Sequence, residues 1–141
     1  MSTAEAISAH IAYDVIEHTK HRMVVIEFKS DEIINPACAL ELGEQLESLV
    51  RPGPRQYVII DCAGVRSLGS AALAEIVSFV RRSRPVWVCN LHPELRLKAA
   101  LVGLDNWARF AANRHAAVND AGRTARWDEE DAAEYPARAR C

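Results

Sequence analysis

The chain has 141 residues, of which 50% are hydrophobic and 26% charged, and its formal net charge is −2. That is the size of one domain with a proper core, and it excludes a chain disordered over most of its length. The near-neutral balance gives no electrostatic reason to expect nucleic acid or an anionic membrane as a partner.

Met1 to Glu5 shows no basic stretch leading into an apolar run, so no signal peptide is expected. The longest apolar runs are far too short to span a bilayer. Cys38, Cys62, Cys89 and Cys141 form no C-x-x-C pair. Reduced thiols in a cytoplasmic protein are the expected state, with Cys62 and Cys89 as small core residues and Cys141 as the reactive one.

In chain order, Ala12–Ile16 and Met23–Phe28 predict two antiparallel strands around a polar turn that contains His18 and His21, both expected in solvent. Asn35-Pro36 predicts a helix start, because Asn caps open N–H groups and Pro suits the first helical position. Leu42, Leu46, Leu49 and Val50 follow at helical spacing, and Arg51-Pro52-Gly53-Pro54 ends the run. Gln56 to Cys62 predicts a strand covered on much of both faces. A link from Ala63 to Gly69 leads to Ser70, and Ala71 to Arg82 is helical in pattern, with Leu73, Ile76, Val77 and Val80 on one face. Pro85 to Cys89 predicts another buried strand. His92-Pro93 opens a third helix with Leu97 and Leu101 aligned, and Gly103 is placed to end it. Trp107 to Ala112 predicts a last strand, and Arg114 to Val118 a final helical turn.

Strands alternating with helices imply parallel pairing through right-handed crossovers. The predicted class is therefore α/β: a single domain over residues 11–119, a mixed β-sheet with helices packed mainly on one face. From Asp120 to Cys141 the chain carries six acids and four arginines with few aliphatic residues. This segment, 120–141, is predicted to be a polar C-terminal tail that buries little of the core, with Trp127 and Tyr135 as its large apolar side chains.

The segment that carries candidate chemistry runs from Val58 to Leu73: a buried strand, a short link, and Ser70 where the next helix begins. Ser70 has two readings. Its hydroxyl oxygen can cap an open N–H in the first turn, which needs no further function. A phosphate on Ser70 would instead sit at the positive end of the helix dipole, adding nearly two negative charges without unfolding the helix.

This pattern resembles the STAS domain of bacterial anti-sigma factor antagonists. The matching residues are Ile60-Asp61-Cys62, Val65 to Leu68, Gly69-Ser70-Ala71-Ala72-Leu73, Val86-Trp87-Val88-Cys89-Asn90, His92-Pro93-Glu94-Leu95 and Gly103-Leu104. The order and spacing of these motifs carry the likeness across residues 11–118. The resemblance implies a STAS-like fold and partner switching in transcription regulation. In that family the motif serine is phosphorylated by a kinase-type anti-sigma factor, and the unphosphorylated form binds that factor and frees a sigma factor. By position the phosphoacceptor falls on Ser70. Gly69 stands where the family has Asp, and Ala71 and Ala72 stand for its second Ser and its Gly. Gly69 is expected to allow a positive φ that exposes Ser70 on a tight turn.

The expected contact surface comprises Gly69, Ser70, Ala71, Glu75, Ser78 and Arg82, and the expected partner is an anti-sigma factor or related kinase-type protein. A STAS module that does not switch, a fixed scaffold or accessory subunit, is the alternative, and the missing acid favours it. An enzyme is not expected. Leu68-Gly69-Ser70-Ala71-Ala72 has only one glycine of the G-x-S-x-G elbow and no assigned His and acid. Cys89-x-x-His92, even with Cys62, lacks the paired spacings of structural zinc, so no metal or other cofactor is expected. Arg81-Arg82-Ser83-Arg84 reads as cations suited to a helix C-terminus rather than a nucleic-acid site.

Overall fold

The β-branched and aliphatic runs become strands of one sheet in the computed structural model, which describes residues 3–7, 10–17, 21–50 and 55–134. The elements are β1 (Thr3–Ile7), β2 (Ile11–Glu17), β3 (His21–Phe28), β4 (Glu32–Ile33), α1 (Pro36–Glu47), β5 (Arg55–Asp61), β6 (Ser67–Leu68), α2 (Ser70–Ser83), β7 (Val86–Cys89), α3 (Pro93–Leu101), a 3₁₀ turn (Leu104–Asn106), β8 (Arg109–Ala111) and α4 (Arg114–Glu134). The main sheet has the order β1-β2-β3-β5-β7-β8, and β4 pairs with β6 in a separate two-stranded ladder. Pairing is antiparallel across β1, β2 and β3 and parallel from β3 onward. This is the mixed sheet expected from the alternation of elements.

Period-two alternation divides the central strands between two cores. Val24, Ile26, Val58, Ile60, Val86 and Val88 face α1, α2 and α3 through Leu42, Leu46, Leu73, Ile76, Phe79 and Leu95. Met23, Val25, Tyr57, Ile59, Trp87 and Cys89 face the other way, onto Ala117, Ala121 and Ala125 of α4. Three helices thus cover one face and a single helix the other.

Asn35 caps α1 as its position implies, its Oδ1 accepting from the Ala37 N–H at 2.7 Å. His92 opens α3. Gly103 lies at φ 80°, the left-handed backbone that ends this helix at low steric cost.

Several expectations are corrected. β1 pairs along β2, although Thr-Ala-Glu-Ala-Ile carries little strand propensity. His21 is buried rather than solvated and meets the Tyr57 ring edge-on at 5.5 Å. In α3 the aligned pair Leu97 and Leu101 is 70% and 86% exposed, and Leu95 and Ala99 are the buried pair. Two positions along a helix is a rotation of about 200°, so burying Leu95 turns Leu97 outward. The last strand is only Arg109–Ala111. The final helical turn is the first of a 21-residue helix, and the boundary drawn at residue 119 falls inside it. Ala121 and Ala125 are fully buried, and Asp120 Oδ2 accepts from the indole N–H of the buried Trp87 at 2.6 Å. The early part of the expected tail is therefore core structure. The turn residues 18–20, the Arg51–Pro54 stop, the Trp127 side chain, Tyr135 and Cys141 lie outside the described residues.

Cys62 and Cys89 are buried, and Cys38, Cys62 and Cys89 are thiols rather than disulfides. Burial pushes the Cys89 thiol up to about 11, with the Asp61 charge adding to it. Burial also raises Cys62, aided by Cys89 and Asp61. Cys38 is half-buried. A thiol reagent is therefore expected to label Cys38 in the native state, and Cys62 and Cys89 only on unfolding. Peptide mapping after timed labelling checks this, and rapid native labelling of Cys89 would contradict it.

Candidate functional site

The site is built where β5 hands the chain to α2. Beyond Asp61, the link is held by backbone bonds: the Arg66 and Ser67 N–H groups donate to Asp31 O, and the Gly69 N–H donates to Ile33 O at 2.9 Å. The β4–β6 ladder thus clamps the approach to Ser70 onto the segment before α1.

Two expectations about this turn are revised. Gly69, not Ser70, is the N-cap of α2, and it offers no side-chain cap. Ser70 is the first helical residue, and it is exposed. Gly69 has φ −74° and ψ 168°, ordinary extended backbone rather than positive φ. Space is what calls for glycine here: a Cβ on Gly69 would lie 3.1 Å from Ile34 O and 3.3 Å from Ile34 Cα. The family's acid at this position would need that backbone to give way. With no capping side chain and no acid in the first turn, the positive end of α2 is left without a carboxylate of its own.

The other expected contact residues divide. Ala71 and Ser78 are exposed on α2. Ala72 is fully buried in the core. Glu75 is half-buried and lies over Gly43 of α1, where a Cβ would overlap its carboxylate. Arg82 is exposed but engaged, forming an ion pair with Glu47 of α1. These two contacts set α1 and α2 side by side and parallel. Ile34 adjoins Gly69, and Ile34 and Leu40 are 56% and 60% exposed. Ser70 thus follows a glycine that abuts exposed Ile34, and exposed Ala71 follows it. Sequence reasoning missed Ile34 and Leu40, since exposure of an isolated aliphatic residue has no local signature.

Behind this surface lies a polar network that ties four elements. Asp61 at the end of β5 is nearly buried. Its Oδ1 accepts from Asn90 Nδ2 at 2.9 Å and from the Ala63 N–H at 3.0 Å. Its Oδ2 accepts from Arg114 Nε at 2.8 Å, and the same guanidinium reaches Glu27 at 2.6 Å. Burial by itself would raise the Asp61 carboxyl, but the bonds from Asn90, Ala63 and Arg114 outweigh it and hold the group below the usual carboxylate value. Arg114 was not singled out from the sequence, because it lies 53 residues from its partner.

Cys89 faces α4, whereas exposed His92 caps α3 with Nδ1 accepting from the Glu94 N–H at 3.4 Å. Among the described residues no group of three His, Cys, Asp or Glu side chains is placed to hold a metal ion. No helix among them is long and apolar enough to cross a membrane. Arg81 and Arg84 stack on Trp107, with guanidinium carbons 4.7 and 5.4 Å from the ring centroid.

The fold is thus a mixed sheet in which an exposed serine, Ser70, opens the helix that follows the β5–β6 link. The model of the STAS domain family matches residues 12–117, and the chain belongs to that family. Among solved structures, an anti-sigma factor antagonist from Mycobacterium paratuberculosis superimposes with a TM-score of 0.59 at 23% identity, covering 79% of this chain and 93% of that one. An anti-sigma factor antagonist (STAS) domain protein from Planctomyces limnophilus gives 0.65 at 15% identity, covering 77% and 96%. A chain of the stressosome, described as a signal integration and transduction hub, gives 0.55 at 13% identity, covering 79% and 98%. At these identities the likeness is one of fold. No curated protein matches this sequence.

Proposed function

We propose that this chain is an anti-sigma factor antagonist-like regulatory module of the bacterial cytoplasm that acts by partner switching, with Ser70 as the phosphoacceptor. In this reading the unphosphorylated surface around Gly69, Ser70, Ala71 and Ser78 binds an anti-sigma factor or related kinase-type protein. The observation that carries the reading is the exposed Ser70 at the open N-terminus of α2, with exposed Ala71 next to it and exposed Ile34 against Gly69. A phosphate there is tolerated by the helix dipole, so the domain stays folded, yet it places a double charge inside an apolar contact. The solved neighbours described as anti-sigma factor antagonists support the same reading.

The test compares Ser70→Asp with Ser70→Ala by calorimetry against a kinase-type anti-sigma factor from the cell that makes this chain. Ser70→Ala should bind like the wild type. Ser70→Asp should lose about 1–3 kcal/mol, roughly 5- to 150-fold in affinity. Mass spectrometry of protein from its native cell should show phosphate on Ser70 that varies with growth condition.

The crowding of Gly69 against Ile34, which leaves no ready place for the family's acid, favours a second reading: a STAS scaffold that uses the same surface without phosphorylation. Equal affinity of both variants and absence of phosphate would select it.

A further inference from the structure

Beside the Ser70 surface, an open groove of about 600 Å³ runs between α2 and the end of α3, lined by Ala74, Val77, Ser78, Arg81, Arg82, Val102 and Trp107. Ala74, Val77, Val102 and Trp107 supply its apolar lining, and Val102 is 42% exposed. One end is cationic in an unusual way. Arg82 is matched by Glu47, but Arg81 and Arg84 share the ring of Trp107, and among the described residues neither forms an ion pair with a carboxylate. Two guanidinium groups held at one ring repel each other, and an incoming carboxylate would relieve that repulsion while keeping the cation–π contacts.

We propose that this groove binds an amphipathic helix of a protein partner, its apolar face on Ala74, Val77 and Val102 and its carboxylates over Arg81 and Arg84. The inference rests on the partner-binding reading of α2 and adds the chemistry of what α2 recognises. An apolar face supplies the buried area, and the charged end fixes the direction in which the helix lies. Nucleic acid is disfavoured by the apolar lining of the groove.

The test uses two synthetic peptides of about four helical turns. Both carry Leu at i, i+3, i+4 and i+7. One has glutamates at one end and the other has lysines there. Each is titrated into the full-length ¹⁵N-labelled protein, and the indole N–H of Trp107 is read, identified by its loss in Trp107→Phe. The acidic peptide should shift this signal and the amides from Ala74 to Arg81. It should bind at least about tenfold more tightly than the lysine peptide, and the order should reverse in Arg81→Glu/Arg84→Glu. Equal binding of both peptides, shifts mapping elsewhere, response to a single-stranded oligonucleotide instead, or no shift at millimolar peptide would overturn the proposal.

Ser70→Asp separates this inference from the switch. Acidic-peptide binding that survives Ser70→Asp upholds the groove even if no protein partner responds to Ser70. A Ser70-dependent protein partner combined with silence toward the acidic peptide upholds the switch and removes the groove.

Discussion

Removal of residues 120–141 is expected to destabilise the domain by about 3–5 kcal/mol, lowering the melting temperature by roughly 10 °C or more. The loss comes from the face of the sheet opposite α1 and α2. There Tyr57, Ile59 and Trp87 are fully buried, and α4 is the helix that covers them. Truncation takes away Ala121 and Ala125, and it leaves the Trp87 indole without the Asp120 carboxylate. It also removes Asp120 and Thr124 from Arg109, whose guanidinium lies 5.3 Å from the Trp87 ring centroid. Uncovering even part of two aromatic rings costs a few kcal/mol, because large apolar side chains are worth about 1.5–3 kcal/mol each when fully buried. Differential scanning calorimetry of the truncated and full-length proteins reads the effect. Unchanged melting would mean that α4 contributes to the fold only through its first turn, up to Ala117. A rise in Trp87 emission wavelength in a variant with Trp107 and Trp127 replaced by Phe would accompany the expected loss.

The same helix shows where sequence reasoning reaches its limit. Strands β2, β3, β5 and β7 were legible because runs such as Met23–Phe28 and Val86–Cys89 are aliphatic enough to be strand on any face. Helices α1 and α2 were legible because Leu42 and Leu46, or Leu73, Ile76 and Val80, repeat at helical spacing and proline or glycine marks the ends. In α4 the repeat is Ala117, Ala121 and Ala125. Alanine signals burial only weakly, and the large groups that make this contact lie on the sheet, so the segment reads as polar. β1 was hidden for the opposite reason: its two alanines and glutamate favour a helix, and pairing along β2 overrides that local preference. At the site, the position of Ser70 was legible from the Gly69–Ser70 boundary alone. The crowding at Ile34 and the engagement of Glu75 and Arg82 by α1 depend on how two helices and a short ladder meet, and spacing along one segment does not encode that.

Asp61→Asn is expected to cost about 2–3 kcal/mol at pH 7, because it leaves a guanidinium and an amide facing a group that no longer accepts as a carboxylate. The figure sits below that for a fully buried ion pair because Arg114 keeps 39% of its side chain in solvent and retains Glu27 as a partner. The Asp61 carboxyl is held below its ordinary value in the folded protein. Its contribution is therefore complete above the unfolded-state value of about 4 and is lost as pH falls through the lowered folded value. The gap between wild type and Asp61→Asn should be widest at neutral pH and should close in acid. Urea unfolding of both proteins at a series of pH values from 7 to about 3 measures it, and a gap independent of pH would show that shape rather than charge holds the network. A local consequence is also expected. Asp61 anchors the Ala63 N–H, the first bond of the link that delivers Ser70, and it anchors Asn90, which holds a left-handed backbone at φ 58° just before α3. Loss of the carboxylate should thus loosen both edges of the surface on α2. Faster hydrogen exchange at Val65 and Gly69 than at Val58 in Asp61→Asn would show it, and uniform exchange across these amides would confine Asp61 to global stability.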